Sequence, residues 1–133
     1  MIVSFPLPLE TQQVNEKWHR VLGGFDAVVE EDGKEPLVIH VPHGFLTNFA
    51  SVPRLPFAYL LFGGKGNRAA AVHDFLYEPP TQYPRSWCDD VFYAGLRALE
   101  GISEREARAM YDGVRLGGAS HYGVHDPEQP ETP

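Results

Sequence analysis

Proline and glycine placement constrains this chain more than any other feature. Pro42, Gly44, Pro53 and Pro56 break the segment PHGFLTNFASVPRLPF, and Pro79-Pro80 close the next apolar stretch. Proline locks φ and removes a backbone donor, so neither a long helix nor a central strand crosses these points. The segment from 42 to 57 is too interrupted for a regular element and too apolar for a solvated linker, and is expected to lie as an ordered loop against the core. Between the breaks, RAAAVHDFLYE is rich in helix formers, with Asn67 as a candidate cap and Pro79 as its stop. Two more helices follow. Ser86 is positioned to cap SWCDDVFYAGLRALE, and Ser103 with Glu106 forms a capping box ahead of EREARAMYDGVRL, which ends at Gly117-Gly118.

Before the loop, FDAVVEE and LVIHV read as two β-rich runs joined by the turn-prone DGKEP, hence a hairpin. Residues 1–24 contain Pro6, Pro8, Gly23 and Gly24 around VNEKWHRVL, which suits a short helix or an arm on a partner. The tail VHDPEQPETP is proline-rich and acidic, a composition that does not order in isolation. The expectation is an α+β fold with an N-terminal hairpin packed on a three-helix core. It divides into an arm at 1–24, one globular domain at 25–118 and a tail at 119–133.

A chain of 133 residues with 43% hydrophobic content, eight Phe, six Tyr and two Trp can fill one core. The single Cys88 excludes an intramolecular disulfide. No apolar run reaches the roughly 20 residues needed to cross a bilayer, and MIVSFPLPLE lacks the regions of a signal peptide. The expected location is the cytoplasm. Eleven Lys and Arg against eighteen Asp and Glu give a net charge of −7, which repels nucleic acid and anionic membranes. Nucleic acid is not an expected partner.

His73 and Tyr77, four residues apart, share one helix face, with Asp74 turned about 100° away. On the next helix Asp89 joins the inward stripe of Phe92, Leu96 and Leu99, whereas Asp90 falls on the polar side. A buried carboxylate needs a donor, and His73 is the natural one. Two readings follow. In one, Asp89 fixes the tautomer of His73, whose other nitrogen takes a proton from water while Asp74 holds a metal. In the other, Asp89 belongs to a helix start, His73 is a satisfied core histidine and Asp74 is surface. Other chemistries fit poorly. His40 and His43 sit on a strand and a proline-bounded loop, not the helical bundle of a metal phosphohydrolase. GGKG at 63–66 lacks the ending and preceding strand of a phosphate loop and suits a hinge. His121 and His125 have no Cys partners and are expected to be solvated. Cys88 lacks the His and Asn of a thiol nucleophile.

The strings VPHGFLTNFASVPR, RAAAVHDFLY, CDDVFYAGL and MYDGVRLGG, in that order over about residues 25–118, resemble a family of small proteins of unknown function from tailed phages and prophages. That pattern has Asp where this chain has Asn48. The same order of features is similar, at motif level, to the bacterial and parvoviral branches of the phospholipase A2 superfamily. The resemblance implies His73 as general base, Asp89 as its orienting carboxylate, Tyr77 as support, and Asp74 with the Thr47-Asn48-Phe49 loop as a calcium site. The helices bearing His73 and Asp89 would then form a phospholipase A2-like pair. A neutral amide at Asn48 is expected to weaken calcium binding. The implied setting is a phage or prophage, with the protein expected as a tail-tip or baseplate component, other virion proteins as its partners and phospholipid as a further candidate. Two functions stay open, a non-catalytic virion component that keeps the site and an active calcium-dependent lipid-ester hydrolase at the host envelope.

Overall fold

The computed structural model describes residues 1–49 and 65–130. Among these, β1 (Ile2–Ser4), β2 (Glu10–Gln13), β3 (His19–Leu22), β4 (Phe25–Glu30), β5 (Leu37–Val41) and β6 (Leu46–Thr47) precede α1 (Asn67–Tyr77), α2 (Arg85–Ala98) and α3 (Glu104–Gly117). The architecture is α+β. Two antiparallel sheets of three strands run in the orders β1-β4-β5 and β2-β3-β6. The part of the loop at 50–57 and the first two glycines of GGKG lie outside the described residues.

The expected hairpin is β4–β5, in register Phe25 with Val41, Ala27 with Ile39 and Val29 with Leu37. Those side chains alternate inward, because a strand turns successive residues to opposite faces and only one face meets the helices. Residues 1–24, expected as an arm, carry three strands. β1 pairs with β4, and Val3 and Val21 are buried in the main core. The stretch VNEKWHRVL forms a turn and β3 instead of a short helix. Asn15 Oδ1 accepts from the N–H groups of Lys17 and Trp18, and Val14 N–H donates to Trp18 O, which folds β2 back onto β3. So short a helix is marginal by itself, whereas cross-strand pairing satisfies the same backbone and buries Val21.

α1 ends where proline dictates. Glu78, ahead of Pro79, is extended at ψ 136°, the conformation a following proline enforces. Two expected caps are displaced. The first hydrogen bond of α1 runs from Ala70 N–H to Gly66 O, which makes Gly66 the cap and Asn67 the first helical residue. In α2 the first bond runs from Cys88 N–H to Pro84 O, so the helix starts before Ser86 and has no side-chain cap. The Ser103–Glu106 capping box of α3 forms in both directions, at 3.1 Å each way.

α1 and α2 approach closely because their contact is made of small residues. A methyl group placed on Gly95 would sit 3.1 Å from Ala69 Cβ. Ala70, Phe92, Leu96, Met110 and Val114 then fill the space between the helices. The close approach sets the inward face of α1, bearing His73, against that of α2, bearing Asp89. No described helix is long and apolar enough to cross a membrane.

Candidate functional site

Asp89 is fully buried, and three donors and a further guanidinium converge on it. Oδ1 is 2.8 Å from His73 Nε2 and accepts from the Tyr77 hydroxyl at 2.6 Å. Oδ2 accepts from Arg115 Nη1 at 2.7 Å, with Arg85 Nη1 at 3.5 Å. Burial alone would push this carboxyl up. The bonds from His73, Tyr77 and Arg115 outweigh burial and hold it below its ordinary value. Asp89 is therefore an anion, and an anionic carboxylate only accepts, so the proton of the shared bond belongs to His73 Nε2.

That assignment fixes the other end of the ring. In neutral imidazole with Nε2 protonated, Nδ1 carries the lone pair. His73 is 3% exposed, and its Nδ1 has no hydrogen-bond partner among the described residues. The ring is packed against Tyr77 at 4.1 Å and Phe92 at 4.8 Å between centroids. Tyr77 is similarly fixed. Burial first, and then its bond to Asp89, push its hydroxyl far above the usual phenol range, so it stays a donor.

Asp74 points the other way, as the 100° offset requires. Its Oδ2 accepts from the Thr47 hydroxyl at 2.5 Å and from Asn48 N–H at 3.1 Å, and Phe49 N–H donates to Thr47 Oγ1 at 3.0 Å. The loop and the helix carboxylate that the sequence paired are thus together. Phe49 is held at φ 56°, a left-handed conformation uncommon for a residue with a large side chain, while its ring packs on His19 at 4.7 Å. A pocket of about 70 Å³ joins the two halves, with His73, Asp74, Asn48 and Leu46 on its wall.

The remaining candidates separate from this centre. Cys88 is buried, and burial together with the neighbouring Asp89 charge pushes its thiol up to about 12, so it does not supply a thiolate. His40 pairs with Asp26, and His43 Nδ1 accepts from Gly23 N–H. His121 and His125 are exposed, yet His121 lines the His73 pocket and His125 Nδ1 lies 3.2 Å from Glu78. Sequence reasoning missed Arg85 and Arg115. Arg85 stands four residues before Asp89, a spacing that marks a helical ion pair and could have been read. Arg115 reaches Asp89 only because α3 packs on α2, and no local pattern announces that.

The polar groups around the pocket offer oxygen ligands, the Asp74 carboxylate and the Asn48 amide first, which suits a hard cation in kind. Among the described residues no three His, Cys, Asp or Glu side chains converge into a cage.

No match is found among curated proteins or among solved structures. A family profile described as a protein of unknown function, DUF1353, matches residues 25–114. That span holds His73, Asp74, Tyr77 and Asp89, and it stops just short of Arg115 and the segment that follows α3. The chain belongs to the DUF1353 family.

Proposed function

We propose that His73 is a water-activating general base and that the protein is a hydrolase of lipid esters, encoded by a phage or prophage. The observation that carries this reading is His73 Nδ1, which has no hydrogen-bond partner among the described residues. If His73 served only to satisfy Asp89, its second nitrogen would be a buried acceptor left without a bond, at a cost of about 1–3 kcal/mol. Asp89 already has Tyr77 and Arg115 as donors and Arg85 as a further cation, so satisfaction of the carboxylate does not require a histidine. A lone pair with no partner among the described residues, on a ring that lines a pocket, is what proton abstraction from water would use.

In this mechanism Nδ1 takes a proton from a water that attacks the ester carbonyl. Asp89 holds the ring orientation and favours the imidazolium that forms, and Tyr77 and Arg115 keep Asp89 anionic. His73 then returns the proton to the leaving alcohol. Calcium bound at Asp74 and Asn48 would polarise the carbonyl and favour the oxyanion. The lipid-ester class and the phage setting are inferences from the motif resemblance.

A second reading is favoured by a separate observation. Asp89 takes hydrogen bonds from α1 and α3 while sitting on α2, as a cross-link of the helical core would. On that reading the protein is a tail-tip or baseplate component whose centre is retained for stability. One experiment separates the two, a calcium titration with a fluorescent phospholipid on wild type and His73→Gln. The hydrolase reading expects calcium-dependent release of fatty acid by wild type and none by the variant. Inactivity of folded wild type across phospholipids and simpler esters leaves the virion component.

A further inference from the structure

The pocket beside His73 has two walls of different origin. One belongs to the α1 face and the β6 loop; the other is made by Gly118, His121, Val124, Asp126 and Gln129, all from the segment that follows α3. We infer that residues 118–130 are a strap that closes the His73 pocket, anchored in its first half and releasable in its second. This deepens the reading of His73 as the working base by naming how its site is gated.

The two halves are held by different bonds. In the first, Gly123 N–H donates to Tyr77 O at 2.8 Å, which satisfies a carbonyl in the last turn of α1. The Tyr122 hydroxyl donates to Tyr83 O, and the Tyr122 ring meets Tyr77 edge to face at 5.3 Å. These contacts are partly buried and lie against the dyad's own tyrosine. In the second half, a turn at Asp126 is closed by Glu128 N–H to Asp126 Oδ1 at 2.9 Å. Among the described residues, the side-chain ion pairs of that half with the body of the protein are two surface pairs. His125 Nδ1 is 3.2 Å from Glu78 Oε1, and Lys17 Nζ is 2.9 Å from Glu128 Oε2, with all four side chains between 32% and 68% exposed. Exposed pairs contribute little and are screened by salt.

Size explains why release is needed. Pockets that take an organic ligand are usually about 300–1,000 Å³. The space at His73, about 70 Å³, holds water and little else. Val124 and Asp126 line the same pocket as His73, so displacing their segment would widen it; on this inference the closed form protects the base and the open form admits the substrate.

The test reads access to His73 and does not depend on turnover. Full-length protein is treated with diethyl pyrocarbonate, which acylates accessible neutral imidazole, and each histidine is followed by peptide mass spectrometry. His43, exposed and remote from the strap, calibrates the reagent. Wild type at low salt should modify His73 far more slowly than His43. Lys17→Glu, which turns the Glu128 tie into a repulsion, should accelerate His73 by roughly two- to fivefold. Lys17→Glu combined with Glu128→Lys should restore the slow rate, and high salt should accelerate wild type. Circular dichroism of each variant verifies that the fold is kept. A His73 rate as fast as that of His43 in wild type, or one unmoved by both charge reversal and salt, overturns the strap. Loss of the strap in this assay with hydrolysis intact would leave the proposed activity standing, and the converse result would leave the strap.

Discussion

His40 and Asp26 face each other across β5 and β4 at 2.5 Å, and His73 and Asp89 meet between α1 and α2 at 2.8 Å. The chemistry of the two pairs is the same and the surroundings are opposite. The His40 side chain is 62% exposed and that of Asp26 28%, so water competes for every bond in the pair. For His73 and Asp89 the figures are 4% and 0%. Burial converts an ordinary surface contact into one that fixes a tautomer, and it makes any nitrogen left over conspicuous. Spacing cannot tell such pairs apart, because what separates them is what packs around them.

The largest expected effect is on stability. Asp89→Ala leaves Arg115, Arg85 and the Tyr77 hydroxyl aimed at an apolar methyl, and urea unfolding should show a loss of about 3–5 kcal/mol. Asp26→Ala should cost under about 1 kcal/mol. Equal losses at the two positions would erase the contrast.

His73→Gln sharpens it further. The glutamine amide can donate to Asp89 and keep much of the stability, whereas His73→Ala should lose about 1–3 kcal/mol. An amide does not take up a proton near neutral pH, so hydrolysis by His73→Gln should fall by roughly 10²–10⁴ while its melting temperature stays close to that of wild type. His40→Gln should change neither quantity.

Acid provides a third handle. The Asp89 carboxyl lies below its unfolded value of about 3.9, so its contribution is fully present above that pH and is lost as pH falls through the lower folded value. Stability of the wild type, followed by urea midpoints from about pH 6 down to about pH 2, should therefore drop steeply at the acid end. Asp89→Asn should flatten that limb. An identical acid limb in the variant would remove Asp89 as its source. The smallest effect concerns Asn48→Asp, which places a second carboxylate beside Asp74 and should tighten calcium binding several-fold in calorimetry. Absence of calcium heat in both folded forms would remove the cation from the mechanism.

What could be read from the sequence was local. The stop at Pro79-Pro80, the capping box at Ser103 and the stripe that carries Asp89 inward each depend on residues within a turn or two of one another, and each was found in place. The strands of residues 1–24 were not legible, because β2 is mostly exposed and polar and β1 is only three residues long. β1 is defined by β4, far along the chain, and β2 by β3, which is itself held by β6. The same reason hid Arg115, 26 positions beyond Asp89, and the seat of the tail against the His73 pocket. Asn67 and Ser86 misled as caps because the carbonyls of Gly66 and Pro84 start their helices earlier. Cap chemistry can be read from residue types, but the point of entry depends on how the incoming chain is aimed.

Gly118 ties variation at one backbone position to the integrity of the whole centre. A Cβ there would lie 2.7 Å from the Tyr77 hydroxyl and closer still to the Val114 carbonyl, with no flexible side-chain end able to yield cheaply. Any larger residue at 118 must displace Tyr77 from Asp89 or redirect the chain as it leaves α3. In related sequences this glycine should therefore be kept even where the tyrosine hydroxyl is lost, because the closer clash, with the Val114 carbonyl, does not depend on the residue at 77. Such retention would be a record, written in descent, of how tightly the exit of one helix is fitted against its own last turn and the donor on another.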